Sequence, residues 1–546
     1  MLWGLTWPVG NFPLNDDWVY ALGARSIVET GHFTLPSPTA SNVVAQAYWG
    51  ALFCLPFGFS FNALRVSTGV LGALGLFAQY QLVRELGAGR RVALVAGLSL
   101  AVNPFYLDLS TGFMTDVPFA AISAASLWLY VRAVRRGSAA AFVGAVLLAG
   151  AAILIRQFGL VLPLAFAAAH LARRGVSLRT LAVAVLPLAL GVGLHVGYRH
   201  WLAAAGRTPL LAGDVAVLVP QHLLTSLHMG AQRAAIALTY LGLCLAPFVL
   251  YLASTRQPGR PGDGLRPLHA WGLVTLLTVL LMAALIDLGF VLPGLGNVLA
   301  PFGIGPLTLR DTAQFRLNLP VVPPAVAIAW QGLTVLGAAV GMFAALAAAR
   351  ALLRVARGIL TGRDRQETWP AMLLLVTSGA YAAGILLVGV QYGTFFDRYL
   401  LYLIVPLAAL LAIRRAPPGP VQDRPWRAAL CVGVLGAYAA FSVLGTHDYL
   451  AWNRARWQAT ASLLASGVKP NAIEGGYEFD GWNLYATPVY LDHLQPSNWY
   501  YDDDEYVIAS GPLGGYTEVR RVAFIKWLGL HEASVLILLR IVPAGF

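Results

Sequence analysis

Charge is what this chain lacks. Asp, Glu, Lys and Arg together make up 11% of its 546 residues, against roughly 25% in soluble globular domains. So few charges cannot cover a water-facing surface of this size, which excludes a soluble globular protein. With 58% hydrophobic residues, lipid is the solvent that tolerates the chain. Lysine is nearly absent: Lys469 and Lys526 are its two lysines. Their scarcity beside abundant Arg, Ala and Gly indicates GC-rich coding and a bacterial source. Cysteine is scarce too. Cys54, Cys244 and Cys431 lie in apolar surroundings without metal-type spacing and read as small buried hydrophobes. No basic stretch precedes the first apolar residues, so no cleavable signal peptide is expected.

What is present is a long series of apolar stretches. Spans are expected at 66–83, 92–108, 116–134, 139–155, 157–172, 180–201, 233–253, 269–291, 325–349, 370–390, 399–413 and 427–445. The pair 139–155 and 157–172, broken at Arg156-Gln157, reads equally well as re-entrant or kinked. The formal charge of +12 would suggest nucleic acid on a soluble protein. Here the arginines fall in alternate short loops, such as Arg84/Arg90/Arg91 and Arg350/Arg354/Arg357, where the positive-inside rule puts them. The Arg-rich side is therefore expected to be cytoplasmic, and no nucleic-acid partner is expected. The segment 11–62, the loops 202–232 and 292–324, and the tail then face outward. That orientation asks for a helix before residue 11, where only ten residues stand.

The composition shifts at about residue 447, where Asp, Glu, Asn, Tyr and Trp become common. Residues 449–466 read as a helix, with Tyr506–Ser510 and Ala533–Val542 as strands. The expected architecture is an all-α polytopic membrane protein of about twelve transmembrane helices (1–446) with a small C-terminal α/β extracytoplasmic domain (447–546).

Few residues can carry chemistry. Asp16 and Asp17 form a carboxylate pair in the first outer loop, which suits general-base work. Asn15 or Asp16 as a helix cap explains them as well. Thr115 and Asp116 open a membrane helix at the same face, with Pro118 in its first turn. Capping accounts for them, but an acid at membrane level is also a functional candidate. Arg156 and Arg398 sit at outer span ends, against the charge bias. Phosphate binding or snorkelling to headgroups fits either one, and Arg65 is a weaker case. Glu478, within Glu474-Gly475-Gly476-Tyr477-Glu478, suits a ligand contact or a turn. His195, His200, His222 and His228 show no metal-ligand spacing and read as packing or interfacial residues. Asp502-Asp503-Asp504-Glu505 lacks the alternation of a calcium loop and reads as a solvated turn.

Asp16-Asp17-Trp18-Val19-Tyr20 resembles the acidic loop motif of GT-C membrane glycosyltransferases, of the protein O-mannosyltransferase and lipid A aminoarabinose transferase type. Tyr48-Trp49-Gly50-Ala51-Leu52-Phe53, Asn62-Ala63-Leu64-Arg65 and Arg84-Glu85-Leu86-Gly87 are similar to that family's stretches. Phe113-Met114-Thr115-Asp116-Val117-Pro118 resembles its second acidic motif, and Arg398-Tyr399-Leu400 its late Arg-Tyr helix start. The resemblance covers about 11–175. Two departures stand out. The family has a full helix before the acidic loop, and its aminoarabinose enzymes carry Glu-Lys-Pro where this chain has Val43-Val44-Ala45. The second departure argues against aminoarabinose as the sugar.

The resemblance implies inverting transfer of a sugar from a polyprenyl-phosphate donor to an acceptor (protein, lipid or envelope glycan) on the outer face of a bacterial inner membrane. It makes Asp16 or Asp17 the base and Asp116 a partner that positions the acceptor, or shares a proton or a divalent cation with the first pair. Arg156 and Arg398 would hold the donor phosphate. Tyr20, Tyr48, Trp49 and Glu478 are the substrate-contact candidates. No ligand set in the chain demands a metal. The alternative is a non-enzymatic lipid-linked sugar transporter or envelope-assembly subunit. The missing internal repeat, and charges gathered at one face instead of mid-membrane, favour the enzyme.

Overall fold

The computed structural model describes residues 1–35, 39–207, 223–254, 267–362, 365–393, 395–413, 425–485 and 505–541. His222 and Asp502–Asp504 lie outside them. Each of the twelve expected apolar segments is helical, and the chain is a multi-pass membrane protein. Seven of its described helices are long and apolar enough to cross a membrane: Phe61–Glu85, Asp116–Arg136, Leu178–Ala204, Thr225–Ser254, Pro324–Thr361, Arg365–Gln391 and Ala428–Ala465. The remaining segments are shorter or interrupted, and the interruptions have local causes. The stretch 92–108 divides into Arg90–Ala101 and Pro104–Leu109, because Asn103 caps a new helix with Pro104 at its first position. Ala139–Ile155 ends at Arg156 in an extended conformation, and a 3₁₀ turn, Gln157–Leu160, leads into Val161–Arg174. The pair forms two separate helices that meet at this break: Arg156 reaches Asp116, while Arg173 at the far end of the second helix reaches Gln366. The stretch 399–413 opens with a 3₁₀ turn, Asp397–Leu400, ahead of Leu401–Ala412. The break at Arg156 and the turn at Asp397 both serve the site described below.

Lipid tails offer helices no hydrophobic reason to associate, so close backbone approach has to supply the packing. Leu223–Ser254 crosses Pro324–Thr361 in this way. A Cβ on Gly242 would overlap the carbonyl oxygen of Gly337, and one on Gly341 would overlap that of Leu238. Gly337 and Gly341 stand four residues apart on one helix face. In contrast, Leu178–Ala204 presents Leu186, Leu190 and Val196 outward, as a lipid-facing helix does.

Pro425–Ala465 runs without a break through the boundary expected at 446/447. The separate helix expected over 449–466 is its continuation. From Thr446 to Ala465 no Gly or Pro stops it, and Leu450, Ala455, Ala459 and Leu463 bury one face against the sheet. The four-stranded sheet has the order Ile473–Glu474, Tyr506–Ala509, His531–Arg540, Tyr516–Lys526. Its first pair is parallel and the others antiparallel. Tyr516–Lys526 escaped sequence analysis because it is an exposed edge strand: Val522 is its one buried residue, so no apolar alternation marks it.

Residues 1–14 carry a four-residue helix, Leu2–Leu5, and then a segment pinned to this end of the bundle. Arg65 donates to the carbonyls of Gly10 and Phe12, and Arg454 to that of Trp7. Phe12 and Leu14 thereby enter the core formed by the long helix and the sheet.

Replacing Gly242 with Leu is expected to force the two crossing helices apart. The check is size-exclusion chromatography in detergent: the variant should lose the monodisperse peak that Gly272→Leu, at a position with open space around it, retains.

Candidate active site

The chain turns at Asn15 in the left-handed region and enters helix Asp17–Thr30. Neighbouring carboxylates then face different surroundings. Asp17 is fully buried and its carboxylate is spent on backbone: Oδ1 accepts the Leu14 N–H at 2.5 Å and Oδ2 the Phe113 N–H at 3.1 Å. It staples the first acidic loop to the second. Burial pushes its pKa up to about 8, against the opposing pull of Arg65 and the two N–H groups. Asp16 occupies the N-cap position, but its side chain caps nothing. Its Oδ2 accepts from Arg398 Nη2 at 2.5 Å and its Oδ1 from the Tyr477 hydroxyl at 2.8 Å. A quarter of the Asp16 side chain stays exposed. Of the two acids, Asp17 is spent on backbone in full burial, and Asp16 keeps a solvent-facing edge.

The second acidic motif is held by Gln46, whose amide donates to the Phe113 and Met114 carbonyls. Thr115 makes no side-chain cap; its hydroxyl accepts from Arg156 Nε at 2.7 Å instead. Asp116 Oδ1 pairs with Arg156 Nη2 at 2.9 Å, while its Oδ2 is buried with no partner among the described residues. Tyr381 interacts with Arg156, and its hydroxyl donates to the Tyr399 carbonyl.

Arg398 is aimed by its neighbour. Asp397 accepts the N–H groups of Val298, Leu299 and Arg398, tying the 298–304 hairpin to the 3₁₀ turn. Burial raises Asp397 to about 7. The two acid–arginine pairs are electrostatically coupled, since Arg398 feels Asp16 and Asp116, and Arg156 feels Asp116. Tyr20 is buried among all four charges, and its burial raises the phenol pKa. Five of the residues singled out from sequence, Asp16, Tyr20, Asp116, Arg156 and Arg398, thus form one constellation with an unfilled acceptor at Asp116 Oδ2. Each exposed-facing acid is already neutralised by an arginine, and among the described residues no three His, Cys, Asp or Glu side chains converge on a point.

Glu478 lies behind this constellation instead of in it. Its Oε1 accepts the Asn15 N–H, and its Oε2 accepts from Thr308 at 2.6 Å and Arg456 at 2.7 Å, with the side chain fully buried. It ties the tail to the first acidic loop. Trp49 likewise faces away, donating to the Ser67 carbonyl. Tyr48 lines a separate apolar groove of about 790 Å³ with Phe33, Leu194, Tyr198, Trp201 and Arg207. Arg65 is internal, as described above. Tyr477 stands in the Glu474–Glu478 stretch that reads from sequence as a ligand contact or a turn, whereas Tyr381, Gln46 and Asp397 were missed from sequence. Only Asp397 carried a signal, as the neighbour of a misplaced arginine.

Folding binds a proton at Asp17, whose ordinary value of 3.8 rises to about 8. Stability is therefore fully present below about pH 4, falls as pH rises through about 8 and falls no further above that. The melting temperature in detergent is expected to drop between pH 6 and pH 9, with Asp17→Asn flattening the slope; an unchanged slope would refute the assignment. Glu478→Ala leaves Arg456 buried and unpaired at a cost of about 3–5 kcal/mol. The expected result is a lowered melting temperature and faster proteolysis around residues 466–472.

Over residues 44–197 the chain matches the family model described as dolichyl-phosphate-mannose-protein mannosyltransferase. No curated protein matches it. Among solved structures it is similar to ArnT from Cupriavidus metallidurans in the apo state, with 14% identity and a TM-score of 0.40 over 98% of this chain and 95% of that one. The same protein bound to undecaprenyl phosphate gives 15% identity and a TM-score of 0.40, over 98% and 96%. The apo oligosaccharyltransferase of Archaeoglobus fulgidus gives 15% and 0.40, over 84% of this chain; the chain spans 56% of its length. The matched segment 44–197 holds Asp116 and Arg156, whereas Asp16 and Arg398 lie outside it.

Proposed function

We propose that the chain is an inverting glycosyltransferase that moves a sugar from a polyprenyl-phosphate donor to a hydroxyl acceptor at the membrane surface that carries the sheet. The observation that carries this reading is the pair of acid–arginine bridges, Asp16–Arg398 and Asp116–Arg156, on either side of Tyr20, with both arginines buried. Phosphate-linked sugar transfer needs both halves of such a site. A carboxylate must take the acceptor proton, and fixed cations must receive the charge that develops on the departing phosphate.

Asp16, partly exposed, takes the proton from the acceptor hydroxyl. The freed oxygen attacks the anomeric carbon from the face opposite the phosphate. As that carbon–oxygen bond forms, the bond to the phosphate oxygen breaks, and its electron pair leaves with the polyprenyl phosphate. Arg398 and Arg156 receive this charge while Asp16 and Asp116 keep them oriented. The open Oδ2 of Asp116 accepts a hydroxyl of the sugar or the acceptor. Arginine supplies the charge stabilisation that a divalent cation gives elsewhere, and no step is routed through a metal. The family description of the matched segment supports a polyprenyl-phosphate donor. The apolar groove beside Tyr48 suits its hydrocarbon chain. The Arg-rich loops at the opposite end of the helices support an extracytoplasmic site in a bacterial cytoplasmic membrane. The sugar is a hexose or pentose.

The test is a transfer assay in native membranes with radiolabelled polyprenyl-phosphate sugars, scored by release of free polyprenyl phosphate. Asp16→Asn is expected to lose about 10²–10⁴ in rate, and Arg398→Met about 10²–10³, per folded molecule, beyond the fall in melting temperature that loss of the bridge partner brings. Full activity in Asp16→Asn and Asp116→Asn would sink the reading.

A further inference from the structure

A second, partly open cavity lies where helix Pro425–Ala465 meets the hairpin Leu299–Ile304 and the strands Tyr516–Lys526 and His531–Arg540. The cavity holds about 240 Å³ and none of Asp16, Asp116, Arg156 or Arg398 lines it. One wall is aromatic. Tyr449 and Trp452 stand one helical turn apart with ring planes 23° from parallel and centroids 6.1 Å apart, and Phe524 of the sheet joins them.

Its polar side is asymmetric. Asp448 is saturated: Oδ1 accepts the Trp527 N–H at 2.6 Å and bonds His447 Nδ1 at 3.1 Å, while Oδ2 accepts the Leu528 N–H at 2.9 Å. Lys526, half-buried in the same lining, has no hydrogen-bond or ion-pair partner among the described residues. A chain with 37 basic residues uses lysine at two of them, and one stands here. The Asp448 carboxylate acts on it electrostatically but is taken up by other donors, so the partly desolvated ammonium keeps its three N–H groups for an incoming anion, as a compact point charge. Ser534 adds a hydroxyl to the lining.

We propose that this cavity binds a single sugar ring bearing one negative group, stacked on Tyr449 and Trp452 with the anion on Lys526. The volume falls below the roughly 300–1,000 Å³ of sites for drug-sized ligands, so it takes one ring and not an extended chain. The aromatic wall matches the apolar C–H face of a pyranose, and the serine and lysine match its hydroxyl edge. A neutral sugar would leave the ammonium unpaired, and an inorganic anion would leave the aromatic wall bare. The site is separate from the acid–arginine constellation, so binding is measured without reference to transfer.

The experiment is a tryptophan-fluorescence titration of the full chain in lipid nanodiscs with glucuronate, glucose and inorganic phosphate. Saturable binding of glucuronate near about 1 mM is expected, with glucose and phosphate each at least about tenfold weaker. Lys526→Met is expected to erase the preference for glucuronate over glucose with melting unchanged. Trp452→Ala should weaken both sugars, and Asp16→Asn should leave glucuronate binding as it was. Equal affinity for glucose and glucuronate, equal affinity for phosphate, or a preference that survives Lys526→Met overturns the proposal. So does a glucuronate titration with no saturation.

Discussion

A charge buried at the end of an apolar helix bundle has to be paired, because an isolated ion there costs several kcal/mol. Arg65, Arg156, Arg398 and Arg456 are all nearly inaccessible, and each dictates where something else goes. Arg65 draws the Gly10 and Phe12 carbonyls inward and so anchors the N-terminal segment. Arg456 takes Glu478, which in turn takes the Asn15 N–H. Arg156 and Arg398 take Asp116 and Asp16. Two of these pairings build the architecture around the site and two build the site itself. Because the same constraint does both, the geometry of the constellation is inherited from the fold.

Asp16 and Asp17 show how environment alone divides labour between adjacent acids. Asp17 spends both oxygens on main-chain N–H groups in full burial, and that burial raises its proton affinity. Asp16 keeps a solvent-facing edge and bonds only side chains, Arg398 and Tyr477. Two carboxylates one residue apart take different roles because one points along the loop and the other across the cavity.

The tail is an extension of the membrane part. The last apolar helix continues as the spine on which the sheet docks, and Phe12 and Leu14 from the chain's beginning complete that core. Tyr477 from the tail reaches Asp16, and Thr308 from the long loop shares Glu478 with Arg456. The residues that set the constellation therefore come from every part of the chain. Loss of tail packing reaches Asp16 through a single hydroxyl.

The one-dimensional pattern determined what depends on composition and local period. Apolar length marked the twelve expected spans, all helical, though not Val44–Cys54 or Tyr477–Leu484, and misplaced polarity marked Asp16, Asp116, Arg156 and Arg398, since charged residues at the wrong end of an apolar run are visible without a partner. The Arg156-Gln157 break was visible for the same reason. Long-range geometry decided the rest. Arg398 meets Asp16 across 382 positions and Tyr477 meets it across 461, and no local period records such a pairing. Glu478 and Trp49 read as contact residues until packing turned them inward or away, and Tyr381 and Gln46 carried no signal because an isolated polar residue in an apolar run looks like any other. Sequence order determined which groups were out of place in lipid; only the tertiary structure decided which of them neutralise one another, because pairing depends on distance in space and the energy of a buried charge on its nearest neighbour.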